Sequence, residues 1–149
     1  MLLAALDILG VGDAASTDAA RHLGIAWALI GLLRAVPFHA RQRRLYLPVD
    51  LLMQTGVDPD ALIEGRPQAG LADVAAKIVA RVRDRLHRAR DRQQRVARAA
   101  LPVMLLAVLA ERHCRRLERR QFQLFTVVPE RPAPFDTVRL ALAAWRQRI

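Results

Sequence analysis

The stretch Leu23–Pro48, LGIAWALIGLLRAVPFHARQRRLYLP, decides how the rest of the chain is read. Its opening run, Leu23–Leu33, carries no charge and ends at Arg34. A membrane-spanning helix needs about 20 consecutive apolar residues, so a run this short reads as a helix buried in a protein core. The run Leu101–Ala110, bounded by Arg98 and Glu111, reads the same way. Upstream, Ser16 or Thr17 can cap the helix, and Asp18 falls in its first turn, where the dipole favours an anion. Downstream, Pro37 lacks the N–H that a helix interior requires. That predicts a break after about Arg34 and an irregular basic segment over 35–47.

Working outward, the pattern stays helical, and no β-branched alternating run of useful length interrupts it. Leu2–Leu9 reads as a helix stopped by Gly10-Val11-Gly12. A short helix over 49–54 precedes Gly56, which suits the left-handed residue past a helix end. Asp58-Pro59 supplies a cap followed by proline at the first helical position, and Gly65 closes that piece. After a turn at 66–70, the longest helix is predicted over about 71–97. Leu71, Ala75, Ile78, Val82, Leu86 and Ala89 form its apolar stripe. Arg81, Arg85, Arg88, Arg92 and Arg95 recur at four, three, four and three residues and mark a second face, a candidate docking stripe for acidic protein or lipid. A helix follows over roughly 100–119. A proline-rich loop at 128–134 then leads to a last helix over 135–147 carrying Trp145.

Length and composition narrow the classes. At 149 residues with 53% hydrophobic content, the chain reads as one domain, 1–149, able to bury a real core. Cys114 is the single cysteine, which excludes an internal disulfide framework. The start MLLAALDILG lacks the basic opening of a secretory signal and meets Asp7 early. The formal charge is +10, and of 24 basic residues only Lys77 is lysine. Such a balance favours anionic partners. Nucleic acid is a poor fit, because no zinc-finger spacing occurs and no aromatic residue interleaves the arginine stripe. His22, His87 and His113 show no metal-ligand spacing. Asp60/Glu64 is the one acidic pair at i,i+4, and it reads as surface charge.

Aligned without gaps, Leu23–Pro48 resembles the second aspartate-rich motif of the squalene/phytoene synthase family, roughly LGxAxQLTNILRDVxEDxxRGRxYLP. Leu23, Gly24, Ala26, Leu33, Arg34, Val36, Arg44, Tyr46, Leu47 and Pro48 fall on its frame. Its acids do not: Ala35 replaces the aspartate after Leu-Arg, and Phe38-His39 replaces the Glu-Asp pair. Ala28 and Gly31 replace its Gln and Asn. Magnesium is a hard cation usually held by one or two carboxylates plus phosphate oxygens. Alanine offers no ligand, and imidazole suits zinc, copper or iron better. No cofactor and no catalytic or metal-binding residue is therefore expected.

The resemblance implies an all-α, isoprenoid-synthase-type helical fold, of which this chain is about the C-terminal half. The variant segment LRAVPFHARQRRLYLP is most similar to the non-catalytic branch that includes the mitochondrial complex I assembly factor with a squalene/phytoene synthase domain. FQLF at 122–125 and the ending ALAAWRQRI give weaker support. That branch implies a scaffold whose partners are complex I assembly intermediates, placed in the cytoplasm at the face of the inner membrane. Half a ring of helices would also leave apolar surface open, which predicts self-association. Arg34, His39, Arg41, Arg44 and Tyr46 lie where the family meets diphosphate, and they are candidates for binding an anion or a partner. Two alternatives stand beside this reading. One is a fragment of a prenyltransferase acting on isoprenoid diphosphates, which would need Mg²⁺. The other is a basic peripheral module for an anionic membrane surface.

Overall fold

The computed structural model describes residues 1–66, 68–92 and 95–125, and these are all helix, turn and loop. The helices are α1 (Leu2–Ile8), α2 (Ala14–Arg41), α3 (Val49–Gln54), α4 (Pro59–Ile63), α5 (Leu71–Arg90), α6 (Leu101–Met104) and α7 (Leu106–Arg119), with a 3₁₀ turn at Arg98–Ala100. The fold class is all-α, as the sequence pattern requires. The last predicted elements, the loop at 128–134 and the helix at 135–147, lie outside the described residues.

Helix α2 is the centre of the molecule. It packs chiefly along α5, and it also touches α1, α4, α6 and α7. Its inner side is Leu23, Ala26, Ile30, Leu33, Val36 and Ala40, all buried at helical spacing. The six stripe positions predicted on α5, from Leu71 to Ala89, are likewise all buried. Each large aliphatic side chain so covered contributes about 1.5–3 kcal/mol of transfer free energy. By length and composition α2 is sufficient to cross a membrane. In this fold it serves instead as the helix on which the others pack, as the Leu23–Leu33 run predicted.

The single helix expected over 100–119 is divided at Leu105 into α6 and α7, and three boundaries differ from expectation. The first is Pro37, which does not end α2: the helix runs through it to Arg41. The proline forfeits the hydrogen bond to the Leu33 carbonyl. The turn persists because Leu33, Val36 and Ala40 hold one side against the core and because the helix end is fully closed. Arg43 N–H donates to the Ala40 carbonyl and Arg44 N–H to the His39 carbonyl, both at 2.9 Å. This 6→1, 5→2 pairing is the Schellman motif. Arg43 is its left-handed residue, at φ 53. In the family pattern that place belongs to glycine, which adopts the conformation without steric cost. The expected irregular segment therefore shrinks to the turn after Arg41.

The second boundary is the start of α2. Asp13, rather than Ser16 or Thr17, caps it by accepting from Ser16 N–H at 2.8 Å. Those hydrogen bonds from Ser16 hold the Asp13 carboxyl below its ordinary value. Ser16 is buried, and its hydroxyl oxygen accepts the Ala97 N–H at 3.0 Å, tying the loop after α5 to the start of α2. The third boundary is the end of α5, at Arg90 instead of near residue 97. Arg92 and Arg95 follow it in turn structure and do not continue the helical face.

Candidate functional site

The lip of the site is the last two turns of α2 with the turn that follows. Because α2 passes through Pro37, Phe38 and His39 stand on the helix. They extend an outer side formed by Ile25, Ala28, Gly31 and Ala35, which is exposed or only partly covered. Every position at which the family pattern has its Gln, Asn, Asp and Glu-Asp pair thus lies on the side of α2 turned away from the core.

The candidate residues divide. His39 and Tyr46 come together: their rings meet edge to face with centroids 4.6 Å apart. Phe38 continues the cluster, 5.9 Å from the His39 ring. Arg34, Phe38 and Arg41 follow one another at i, i+4 and i+7 and share a line along the helix. Arg41 also edges a groove of about 210 Å³ with Pro37, Ala40, Ile63, Glu64 and Phe125. Glu64 is paired with Arg66 at 2.8 Å. Arg44 contributes its backbone to the helix closure, and its side chain is exposed. The set is an aromatic lip edged by arginines, spread over a surface instead of converging on one point.

Magnesium does not fit this donor set. Position 35 has no ligand atom, and His39 offers nitrogen in an aromatic contact. Among the described residues no group of three or more His, Cys, Asp or Glu side chains stands close enough to share a metal ion.

The arginine stripe, of which Arg81, Arg85 and Arg88 stand on α5, is largely engaged by acids and by α2. Arg85 Nη1 lies 3.2 Å from His22 Nδ1. Arg88 Nε donates to Asp84 at 3.0 Å, and Arg92 pairs with Asp18. Arg81 and Arg95 are exposed. Burial lowers the pKa of His22 first; Asp18 opposes this, and Arg85, Arg92 and Arg88 reinforce it. The stripe helps dock α5 on the start of α2.

Sequence reasoning missed a second cluster, centred on Arg83. Its Nε and Nη2 donate to the two carboxylate oxygens of Glu118 at 2.8 Å, and Nη1 donates to Glu111 at 2.9 Å. Arg90 and Arg115 also approach Glu111, at 3.5 and 3.4 Å. Burial pushes the Glu111 carboxyl up, but the Arg83 hydrogen bond and the three guanidinium charges outweigh it and hold the group below its ordinary value. Glu111 and Glu118 at i, i+7 on α7 were the available signal.

The geometry thus shows a prenyl-synthase-like motif helix whose metal-ligand positions carry no carboxylate. A sequence profile of the squalene/phytoene synthase family matches residues 1–146, and the chain belongs to that family. Among individual proteins, it is 29% identical to rat NADH dehydrogenase (ubiquinone) complex I, assembly factor 6, over 99% of this chain and 44% of the relative. The human protein of that name is 28% identical over the same shares. A bifunctional lycopene cyclase/phytoene synthase of Colletotrichum graminicola is 28% identical over 61% of this chain and 16% of its own length. The chain therefore spans less than half the length of the assembly factors it resembles. No solved structure matches it significantly.

Proposed function

We propose that the chain is a non-catalytic member of its family, acting as a scaffold in the assembly of respiratory complex I at the cytoplasmic face of the inner membrane. Its partners in this reading are protein intermediates of that assembly. The observation that carries it is the outer side of α2. Ala28, Gly31, Ala35, Phe38 and His39 together turn a diphosphate-binding surface into an apolar and aromatic one, while the buried side keeps the family's packing residues. The similarity to assembly factors over 99% of the chain supports the same reading.

The test is removal of the chain from the cells that make it, followed by native-gel measurement of mature complex I. Loss of the mature complex and accumulation of a subassembly are expected, with recovery on re-expression. An unchanged level of complex I overturns the proposal. The partial match to a phytoene synthase-containing enzyme favours prenyl transfer as a second reading. Turnover of farnesyl or geranylgeranyl diphosphate with Mg²⁺ by the purified chain would establish that reading in place of the first.

A further inference from the structure

Large apolar side chains stand out of the protein within the span 38–53. Phe38 is 59% exposed, Tyr46 55%, Val49 55% and Met53 74%. Phe38 and Tyr46 are linked through the His39 ring, and Val49 and Met53 lie four apart on the outer side of α3. Leu51 and Leu52 on the inner side are buried, so α3 is anchored and presents its outer side rigidly. Around this patch the sequence places Arg34, Arg41, Arg43 and Arg44 against one acid, Asp50. The Schellman closure, with Arg43 in the left-handed conformation, fixes the backbone from which three of these arginines project. Of the other exposed apolar side chains, Ile8 and Leu9 at the end of α1 lie between Asp7 and Asp13 in sequence, and Met1, Leu3, Ile25 and Phe125 are exposed as well.

An apolar patch with aromatic residues and a rim of arginines has the composition of a surface that lies in the membrane interface. There the apolar groups reach the acyl boundary and the cations meet anionic headgroups. Tyrosine suits this position because its ring is apolar and its hydroxyl stays wet. We infer that the lip formed by the end of α2, the following turn and α3 docks on an anionic lipid bilayer, with Phe38, Tyr46, Val49 and Met53 entering the interface. Charge complementarity selects this occupant, since the span 34–53 carries four cations and one anion, and Glu64, which lines the groove beside Arg41, is paired with Arg66. The inference deepens the proposed function by naming the surface that faces the membrane, and it rests on that reading for its biological setting.

Flotation of the full 149-residue chain with phosphatidylcholine vesicles, with and without phosphatidylglycerol, tests it. Binding is expected only with phosphatidylglycerol, and added salt should weaken it. The variant F38S/M53S alters two exposed side chains, so its helical circular dichroism should match the wild type. Its vesicle partitioning should fall about tenfold or more. Each of R41Q and R44Q should lower partitioning about fivefold. I8S, outside the patch, should bind as the wild type does. Absence of wild-type binding at low salt overturns the inference in favour of a protein partner on this face. Binding that F38S/M53S leaves intact also overturns it, as does equal binding to both vesicle types. Re-expressing F38S/M53S in cells lacking the chain separates the two claims. Complex I can depend on the chain while vesicle binding fails, and vesicle binding can hold while complex I is indifferent.

Discussion

Replacing Glu111 by glutamine tests the clamp that fixes α7 to α5 behind the site. The Glu111 side chain is 12% exposed, and it accepts from Arg83 at 2.9 Å. Truncating one partner of a fully buried pair costs about 3–5 kcal/mol, chiefly through the charge left behind. Here Arg83 is 40% exposed and keeps its paired hydrogen bonds to Glu118, so solvent and a second carboxylate take up much of that charge. The expected loss is therefore about 1–2 kcal/mol, or a fall in Tm of about 3–6 °C for a chain of this size. A double-mutant cycle with R83M should return a coupling energy of about 1 kcal/mol. The pH dependence follows from the lowered carboxyl. Stability from the ionised Glu111 is fully present above its ordinary value of 4.5 and is lost as pH falls through the lower folded value. Urea melts followed by helical circular dichroism should show a constant gap between wild type and E111Q from neutrality down to about pH 5, closing on further acidification. A gap unchanged at low pH, or a coupling energy near zero, would refute the assignment of Glu111 as an ionised clamp.

Three further outcomes are expected. A Cβ on Gly70 would lie 2.1 Å from the Thr55 carbonyl oxygen, so G70A should cost at least about 2 kcal/mol in urea melts, and a neutral result would contradict the close approach of the two turns. Arg43 holds φ 53 without the conformational freedom of glycine, so R43G should raise stability by about 0.5–1 kcal/mol in the same assay, and a loss would show that the arginine side chain outweighs its backbone strain. Cys114 is buried, and burial pushes its thiol up to about 11; iodoacetamide at mildly alkaline pH should modify it only after denaturant is added, and rapid labelling of the native chain would contradict its place on the buried side of α7.

The parts of the fold legible in the sequence were those fixed by local physics. The α5 stripe from Leu71 to Ala89, the Asp58-Pro59 start of α4 and the glycines after α1, α3 and α4 each depend on residues within a turn or two. The misread boundaries depend on partners distant in sequence. Ser16 resembles a cap, but its hydroxyl serves Ala97, 81 residues away. Pro37 resembles a stop, yet the core contacts of Val36 and Ala40 outweigh one lost hydrogen bond. Arg85 and Arg92 of the arginine stripe looked free because the residues they meet, His22 and Asp18, come from another helix; Asp84, the partner of Arg88, was legible four residues earlier on α5. Of the candidate site, the pairing of His39 with Tyr46 required knowing that the helix reaches Arg41. The glycine of the family pattern at position 43 was the signal for that end, and arginine in its place obscured it.

The passage of α2 through Pro37 also bears on how the family's site has changed. A helix ending at Arg34 would have placed positions 38 and 39 in a loop, with no fixed relation to position 35. On the continuous helix, positions 28, 31, 35, 38 and 39 share the outer side, while positions 23, 26, 30, 33, 36 and 40 share the core. Removing ligand groups alone would leave a bare helix side of small residues. This helix instead ends in exposed Phe38, backed by His39 and Tyr46 and bordered by arginines. Exposed aromatic area in water is unfavourable unless something covers it, and no gain in core packing offsets it here. A surface built at that cost is accounted for by a ligand larger and flatter than a diphosphate. A bilayer or a protein face meets that description, and the vesicle experiment distinguishes them.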